Sequence, residues 1–340
     1  NGVSVVPSYP AADGPHAGDP AYAEAIVRQT QRTFFMRLLG FTSRPVSARA
    51  VAFNGATTNT ACVTALNSNA PKTIELQGSF FVDAPGCSVI DNSNDPNALD
   101  FTGGSGKGTN GRLVAGSVGV VGGAGGKVTD SNPPPVLGIQ QISDPLAGVV
   151  TPPTYDPAKC TAAPAAAKKN GPVTWGTTAG ATTCYSGTIK VNSAVTMTAG
   201  VYVFPGTLDF SGGGSIDGTA GVTLYIPPGG TLGNNGAGNT TLTLTAPTSG
   251  PYDGVVIYQN AANTNNIYLN GTPVVALTGV IYAPGAELDL GGNTKLGATQ
   301  TFITDFVVGK LNDFGNATLD IKNYTTLVPG SPLTTIALVE

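Results

Sequence analysis

Gly200-Val201-Tyr202-Val203-Phe204, Gly221-Val222-Thr223-Leu224-Tyr225, Gly254-Val255-Val256-Ile257-Tyr258 and Gly279-Val280-Ile281-Tyr282 repeat one pattern: glycine, valine, then a short apolar run that carries tyrosine. Successive copies start 21, 33 and 25 residues apart. Between or after them come Leu208-Asp209-Phe210, Ile267-Tyr268-Leu269, Glu287-Leu288-Asp289-Leu290 and Leu319-Asp320-Ile321, mostly followed by Gly or Asn turns. Within residues 240–245, Thr and Leu alternate from Thr241 to Thr245, the period-two mark of a half-buried strand. Imperfect periods of roughly 20–35 residues, each offering two or three short strands, predict a solenoid. One coil cannot bury its apolar face alone, whereas stacked coils share a continuous core. The pattern therefore predicts a mainly β chain folded as a right-handed parallel β-helix, with a sandwich or jelly roll as the alternative.

Composition supports that prediction from outside the repeat. The 340 residues weigh 34.0 kDa, so small side chains dominate, with 47 glycines and 26 prolines. A long helical bundle is excluded because Gly and Pro are the poorest helix formers. Charged residues make up only 11% and the formal net charge is −4, while 41% of residues are hydrophobic, which excludes charge-driven disorder. A sequence pI near 5.0 leaves no phosphate-binding footprint, so no nucleic-acid partner is expected. No apolar run reaches the roughly 20 residues that cross a bilayer as a helix. The sequence starts at Asn1 with neither Met nor signal peptide, and is read as a mature or trimmed form.

Residues 1–52 differ from the rest and are expected to form a small N-terminal α+β segment. They hold Arg28, Arg32, Arg37, Arg44 and Arg49, and only Arg112 lies beyond. Strands are predicted over 3–6, 21–31 and 45–52, and a brief apolar helix over 33–40 that ends at Gly40. Val3, Val5, Phe34, Phe35, Leu38 and Leu39 are the candidate inter-subunit contacts of this segment, which would cap the β-helix or be donated to a neighbour by strand addition. Residues 53–340 are assigned to the β-helix, with a Pro/Ala-rich excursion at about 130–185.

The four cysteines fall into two local pairs, Cys62 with Cys87 and Cys160 with Cys184. No C-x-x-C spacing occurs and His16 is the only histidine, so disulfides are expected rather than zinc. Each would close a loop of about 25 residues, worth roughly 3 kcal/mol, and would place the protein in an oxidising compartment.

Several stretches resemble the TadG-like proteins of Tad (Flp) pilus-assembly systems. At the N-terminus these are Asn1-Gly2-Val3, residues 33–40 and residues 46–52; in the middle, Gly86-Cys87-Ser88-Val89 and Asp144-Pro145-Leu146-Ala147. Later ones are Leu244-Thr245-Ala246-Pro247, Tyr252-Asp253-Gly254-Val255 and Gly279-Val280-Ile281-Tyr282-Ala283-Pro284-Gly285. The resemblance spans most of the chain and is carried by structural motifs without chemistry. It implies a role at the envelope or surface of a bacterium, linked to pili or adhesion. In that family such a segment follows an N-terminal membrane helix, which this sequence lacks.

Catalytic motifs were sought against this background. Many parallel β-helices cleave polysaccharides, either with paired carboxylates or with Arg and a calcium cluster. After residue 113 the chain contains neither His nor Arg, and Asp209, Asp217, Asp289 and Asp320 are single. Asp91, Asp95 and Asp100 form the densest group of oxygen ligands and are a calcium candidate, though an Asn/Asp turn explains them too. Gly103-Gly104-Ser105-Gly106-Lys107-Gly108-Thr109 lacks the Lys-Ser/Thr pair of a phosphate loop. Asn239, Asn270, Asn316 and Asn323 sit in glycosylation triplets. Tyr202, Tyr225, Tyr258, Tyr268 and Tyr282 would form either core packing or an aromatic strip for sugar stacking.

Together these features predict a non-enzymatic structural protein of the bacterial cell surface, without cofactor. Its expected partners are further copies of itself in a filament, and pilus components. The alternative is a carbohydrate-binding adhesin or polysaccharide-active β-helix, with surface glycans as partner.

Overall fold

The computed structural model describes residues 3–14, 17–18, 22–34, 40, 42–53, 61–102, 112–165, 171–233, 239–271, 274–296 and 304–321. The chain divides into two compact units, one containing Asn1–Thr58 and the other Asn59–Leu333.

In the first unit, β1 (Val3–Ser8), β2 (Tyr22–Arg32) and β3 (Ser43–Phe53) form an antiparallel sheet in that order. The registers Val5↔Val27 and Val27↔Ala48 place Val5, Val27 and Ala48 on one face. Ser4, Arg28 and Ser47 belong to the opposite face, as the two-residue period requires. An α+β segment was expected here, and the regular structure among the described residues is all strand. The 33–40 helix falls largely on residues 35–39, outside the described residues. Glu24 anchors one face: it is buried and accepts hydrogen bonds from the Ala12 and Asp13 amides and from Arg49 Nε.

The second unit is built from parallel strands, and the chain visits three ladders in turn. From residue 173 onward each strand pairs with one about three strands later: Val173–Trp175 with Ala194–Met197, Ala181–Cys184 with Gly200–Val203, Thr188–Lys190 with Thr207–Asp209. Val274–Gly292 is long enough to take part in all three ladders. Parallel pairing needs a crossover between partners, and here the other two ladders supply it. Both faces of every strand row are therefore available to be covered, which suits near-continuous apolar runs such as Val222–Ile226 and Val255–Gln259.

Register fixes which side chains share the interior. Leu224, Ile257, Ile281, Phe306, Val63, Val89 and Val118 follow one another in a single column of the second ladder, all buried in the main core. That column also reveals an order absent from the sequence. After Phe306 the next strand in space is not the next in the chain but Ala61–Ala65, paired to Thr304–Asp313. Ile74–Gln77 joins the same strand further along, and Phe81–Asp91 joins Thr318–Asp320. The spatial sequence thus runs from 173 to 321 and continues from 61 to 137.

Residues 138–165 lead the chain back from one extreme of the ladders toward the other. Near residue 139 this strap lies over Gly119 and Ile90, where the Ile139 side chain approaches the Gly119 Cα hydrogen. Further on, the Asn92 amide group exchanges hydrogen bonds with the Ile142 backbone, at 2.7 and 2.9 Å. Tyr282 donates to Asp144, Tyr252 donates to the Thr151 carbonyl, Tyr155 packs on Tyr225, and Cys160 is bonded to Cys184. The other disulfide joins Cys62 and Cys87, so both expected pairs are present.

Candidate functional site

Two surfaces stand out. The first is the face of the N-terminal sheet that Glu24 does not anchor. Val3, Val5, Val27 and Val46 point to it and are 56%, 59%, 37% and 54% exposed. Pro7, Ala48 and Ala50 extend the same apolar stripe. A three-stranded sheet of this size gains stability only when an apolar face is covered. On the opposite face the buried Glu24 is held by Arg49, and that guanidinium keeps its carboxyl below the ordinary range. Arg49 also donates to the Asp13 carbonyl, which fixes the loop over that side. Of the residues expected at an inter-subunit contact, Val3 and Val5 lie on the open face and Phe34 is 91% exposed beyond the end of β2. Phe35, Leu38 and Leu39 lie outside the described residues.

The second surface is the outward column of the second ladder: Cys184, Val203, Tyr225, Tyr258, Tyr282 and Val307. Tyr225 and Tyr258 have ring centroids 5.1 Å apart, Tyr258 and Tyr282 5.4 Å, the spacing of neighbouring strands. The column forms a second apolar cluster with Leu146 and Val150 of the strap, and it is buried. Burial pushes the Tyr258 phenol up to about 12 and raises those of Tyr225, Tyr252 and Tyr282, the last also facing the Asp144 carboxylate. Tyr202 points the other way, into the main core, and donates to the Trp175 carbonyl. Of the five tyrosines of the expected strip, only Tyr268 is partly exposed.

The acidic groups singled out in the sequence each find a local partner. Asp91 points inward, accepts from the Ser93 amide, and is raised to about 7 by burial against the pull of the Ser93 and Ile74 amides. Asp95 accepts from the Asn97 amide, and Asp100 bonds Thr102 and Lys72. Asp91, Asp95 and Asp100 therefore do not converge, and no metal-binding group of three such side chains occurs among the described residues. Asp209 and Asp217 close Asx turns onto Ser211 and Thr219, and Asp289 accepts from Asn266 and Asn312. Asn239 and Asn316 are exposed, Asn270 is buried with no hydrogen bond to its Oδ1 among the described residues, and Asn323 lies outside the described residues.

A groove of about 640 Å³ runs beside Gly180, Gly200, Gly221, Pro247 and Tyr252. Its lining is backbone, hydroxyl and small apolar groups, and Tyr252 is its single titratable side chain. Such a lining offers shape but no carboxylate, imidazole or amine. No helix among the described residues is long and apolar enough to cross a membrane. Comparison with protein-family models, with curated proteins and with solved structures finds no match.

Proposed function

We propose that the chain is a non-enzymatic structural protein of the bacterial exterior that assembles with further copies of itself into filaments. Its three ladders are read as the faces of a right-handed parallel β-helix. The observation that carries the proposal is the uncovered apolar face of the N-terminal sheet, lined by Val3, Val5, Val27 and Val46. A patch of this kind marks an interaction surface. Two disulfides suit an oxidising compartment, and the resemblance to TadG-like pilus-assembly proteins points to the same setting. Pilus components are the further partners this reading admits. Engagement of Asp209, Asp217 and Asp289 in turns and amide pairs supports a structural rather than a catalytic use of the repeat.

Electron microscopy and sedimentation of the full chain test this. Regular fibres are expected at high concentration, and the double substitution Val5→Asp, Val46→Asp shifts the material to monomers. A wild-type chain that stays monomeric at every concentration overturns the proposal. Turnover in a reducing-sugar assay would replace it with the polysaccharide-active alternative.

A further inference from the structure

The core contains a joint between two blocks that are distant in the chain. Residues 61–137 form one block and residues 173–321 the other. They meet where Phe306, Val307 and Val308 pair with Val63, Thr64 and Ala65, where Leu311, Asn312 and Asp313 pair with Ile74, Glu75 and Leu76, and where Thr318–Asp320 pairs with residues 81–83. The Gln77 amide donates to Asn312 Oδ1 across this joint at 3.1 Å, between residues 235 apart in sequence. We propose that this joint exchanges between molecules: residues 61–137 of one copy complete the ladders that end at Thr304–Asp313 and Thr318–Asp320 of a second copy.

Four features carry the proposal. The joint is made of the same parallel pairing as the rest of the ladders, so an exchanged joint buries the same side chains as a closed one. Domain swapping of that kind costs little beyond association. Secondly, neither disulfide crosses it: Cys62–Cys87 lies within the first block, and Cys160–Cys184 ties the strap to the second.

Thirdly, the connection is suited to it. Up to Ile142 the strap is hydrogen-bonded to Asn92 of the first block, and from Asp144 it is bonded to Tyr282 of the second. Ser143 is the single residue between these anchors, and Pro145 holds Asp144 in extended backbone. Short, stiff hinges favour exchange over closure within one chain. If the strap lifts as far as the Cys160 tether, its roughly 22 residues reach about 70 Å. The ladders it follows are roughly 45 Å long at ten strands.

Fourthly, the joint carries a flaw that makes it easy to open, in a closed and in an exchanged copy alike. Asp313 is fully buried between Leu76 and Leu290 in register, and neither carboxylate oxygen has a hydrogen-bond partner among the described residues. Pairing across more than 200 residues also closes late in folding, after local strands have formed. At that stage the open ladder edges meet neighbouring chains as readily as their own.

This inference deepens the filament reading and rests on it for its setting, but its test is separable. Glu75 and Asn312 are register partners on outward-facing positions of the joint. Full-length Glu75→Cys and Asn312→Cys chains are refolded together at low and at high concentration under mild oxidation. Peptide mapping then scores the bond between positions 75 and 312. The expected result is a disulfide-linked heterodimer whose yield rises at least several-fold with concentration and exceeds that of either homodimer. Phe81→Cys with Thr318→Cys, a second register pair, repeats the measurement should the first pair fold poorly. Fibres without either cross-link overturn exchange and leave the filament reading standing. Absence of both fibres and cross-links overturns both, and cross-links without fibres support exchange while removing the filament reading.

Discussion

The Tyr282 hydroxyl donates to Asp144 Oδ2 at 2.8 Å, joining residues 138 apart in sequence and tying the strap to the tyrosine column. That bond is charge-assisted and half-shielded from water, so it counts for more than an exposed pair. Tyr282→Phe removes the donor and leaves the Asp144 carboxylate against an apolar ring. A loss of about 1–3 kcal/mol is expected. Hydrogen exchange should report faster opening of residues 143–152 in Tyr282→Phe, with little change in residues 61–102. Uniform protection across the chain would show that the strap is held by other contacts.

Alkaline titration reads the same column. Burial raises the phenols of Tyr202, Tyr225, Tyr252 and Tyr282, and takes Tyr258 to about 12. A phenol whose folded value exceeds its unfolded value near 10 stabilises the fold fully below pH 10, and that contribution is lost as pH climbs above it. Absorbance at 295 nm at pH 11 should therefore show clearly fewer tyrosinates in the folded protein than the roughly 10 equivalents that the 11 tyrosines give once it unfolds. Complete ionisation of the native protein at pH 11 would contradict the burial of the column.

Asp313 predicts a substitution that stabilises. Burial raises its carboxyl well above the ordinary range, so folding carries a penalty that is absent well below the unfolded value near 4, grows as pH rises above it, and levels off past the folded value. Asp313→Leu, placed between Leu76 and Leu290, removes both the penalty and its pH dependence. The gain at pH 7 is expected at about 1–3 kcal/mol. Melting temperatures of wild type and variant should diverge from pH 4 to pH 8; parallel curves would show that Asp313 is solvated.

Gly233 predicts a substitution that fails. Its φ is +76°, and a Cβ there would lie 1.9 Å from the Tyr268 carbonyl oxygen. Asn tolerates the backbone angle but not the contact, so Gly233→Asn and Gly233→Ala should both destabilise, by more than the roughly 1 kcal/mol that a glycine angle alone explains. Urea midpoints of the two variants decide between the causes: rescue by Asn would assign the effect to backbone angle.

Much of the second unit was legible in the chain. The Gly-Val-aromatic repeat does mark stacked strands, because parallel pairing places Tyr225, Tyr258 and Tyr282 in one column. The cysteine pairs were legible from spacing alone, since each joins strands or segments that are neighbours in one round of the ladders. In the N-terminal segment the three strands are set by long antiparallel registers, while the helix expected over 33–40 falls largely outside the described residues. The tyrosine strip was half legible. Period two assigns Tyr202 and Tyr225 to opposite faces only once their strands are aligned, and the alignment pairs Tyr202 with Leu224.

By itself, then, the sequence determined what is local: short strands, the turns between them, the disulfide partners, and the small, weakly charged side chains that let strands pile closely. Tertiary structure alone decided that Ala61–Ala65 follows Thr304–Asp313 in space, and that Leu146, Val150 and Tyr155 of the strap pack on the outward tyrosines. The physical reason is that strand periodicity specifies two faces and a pairing capacity but no partner. Any apolar strand edge of matching length satisfies the same backbone bonds, and only the packing of the whole unit selects one.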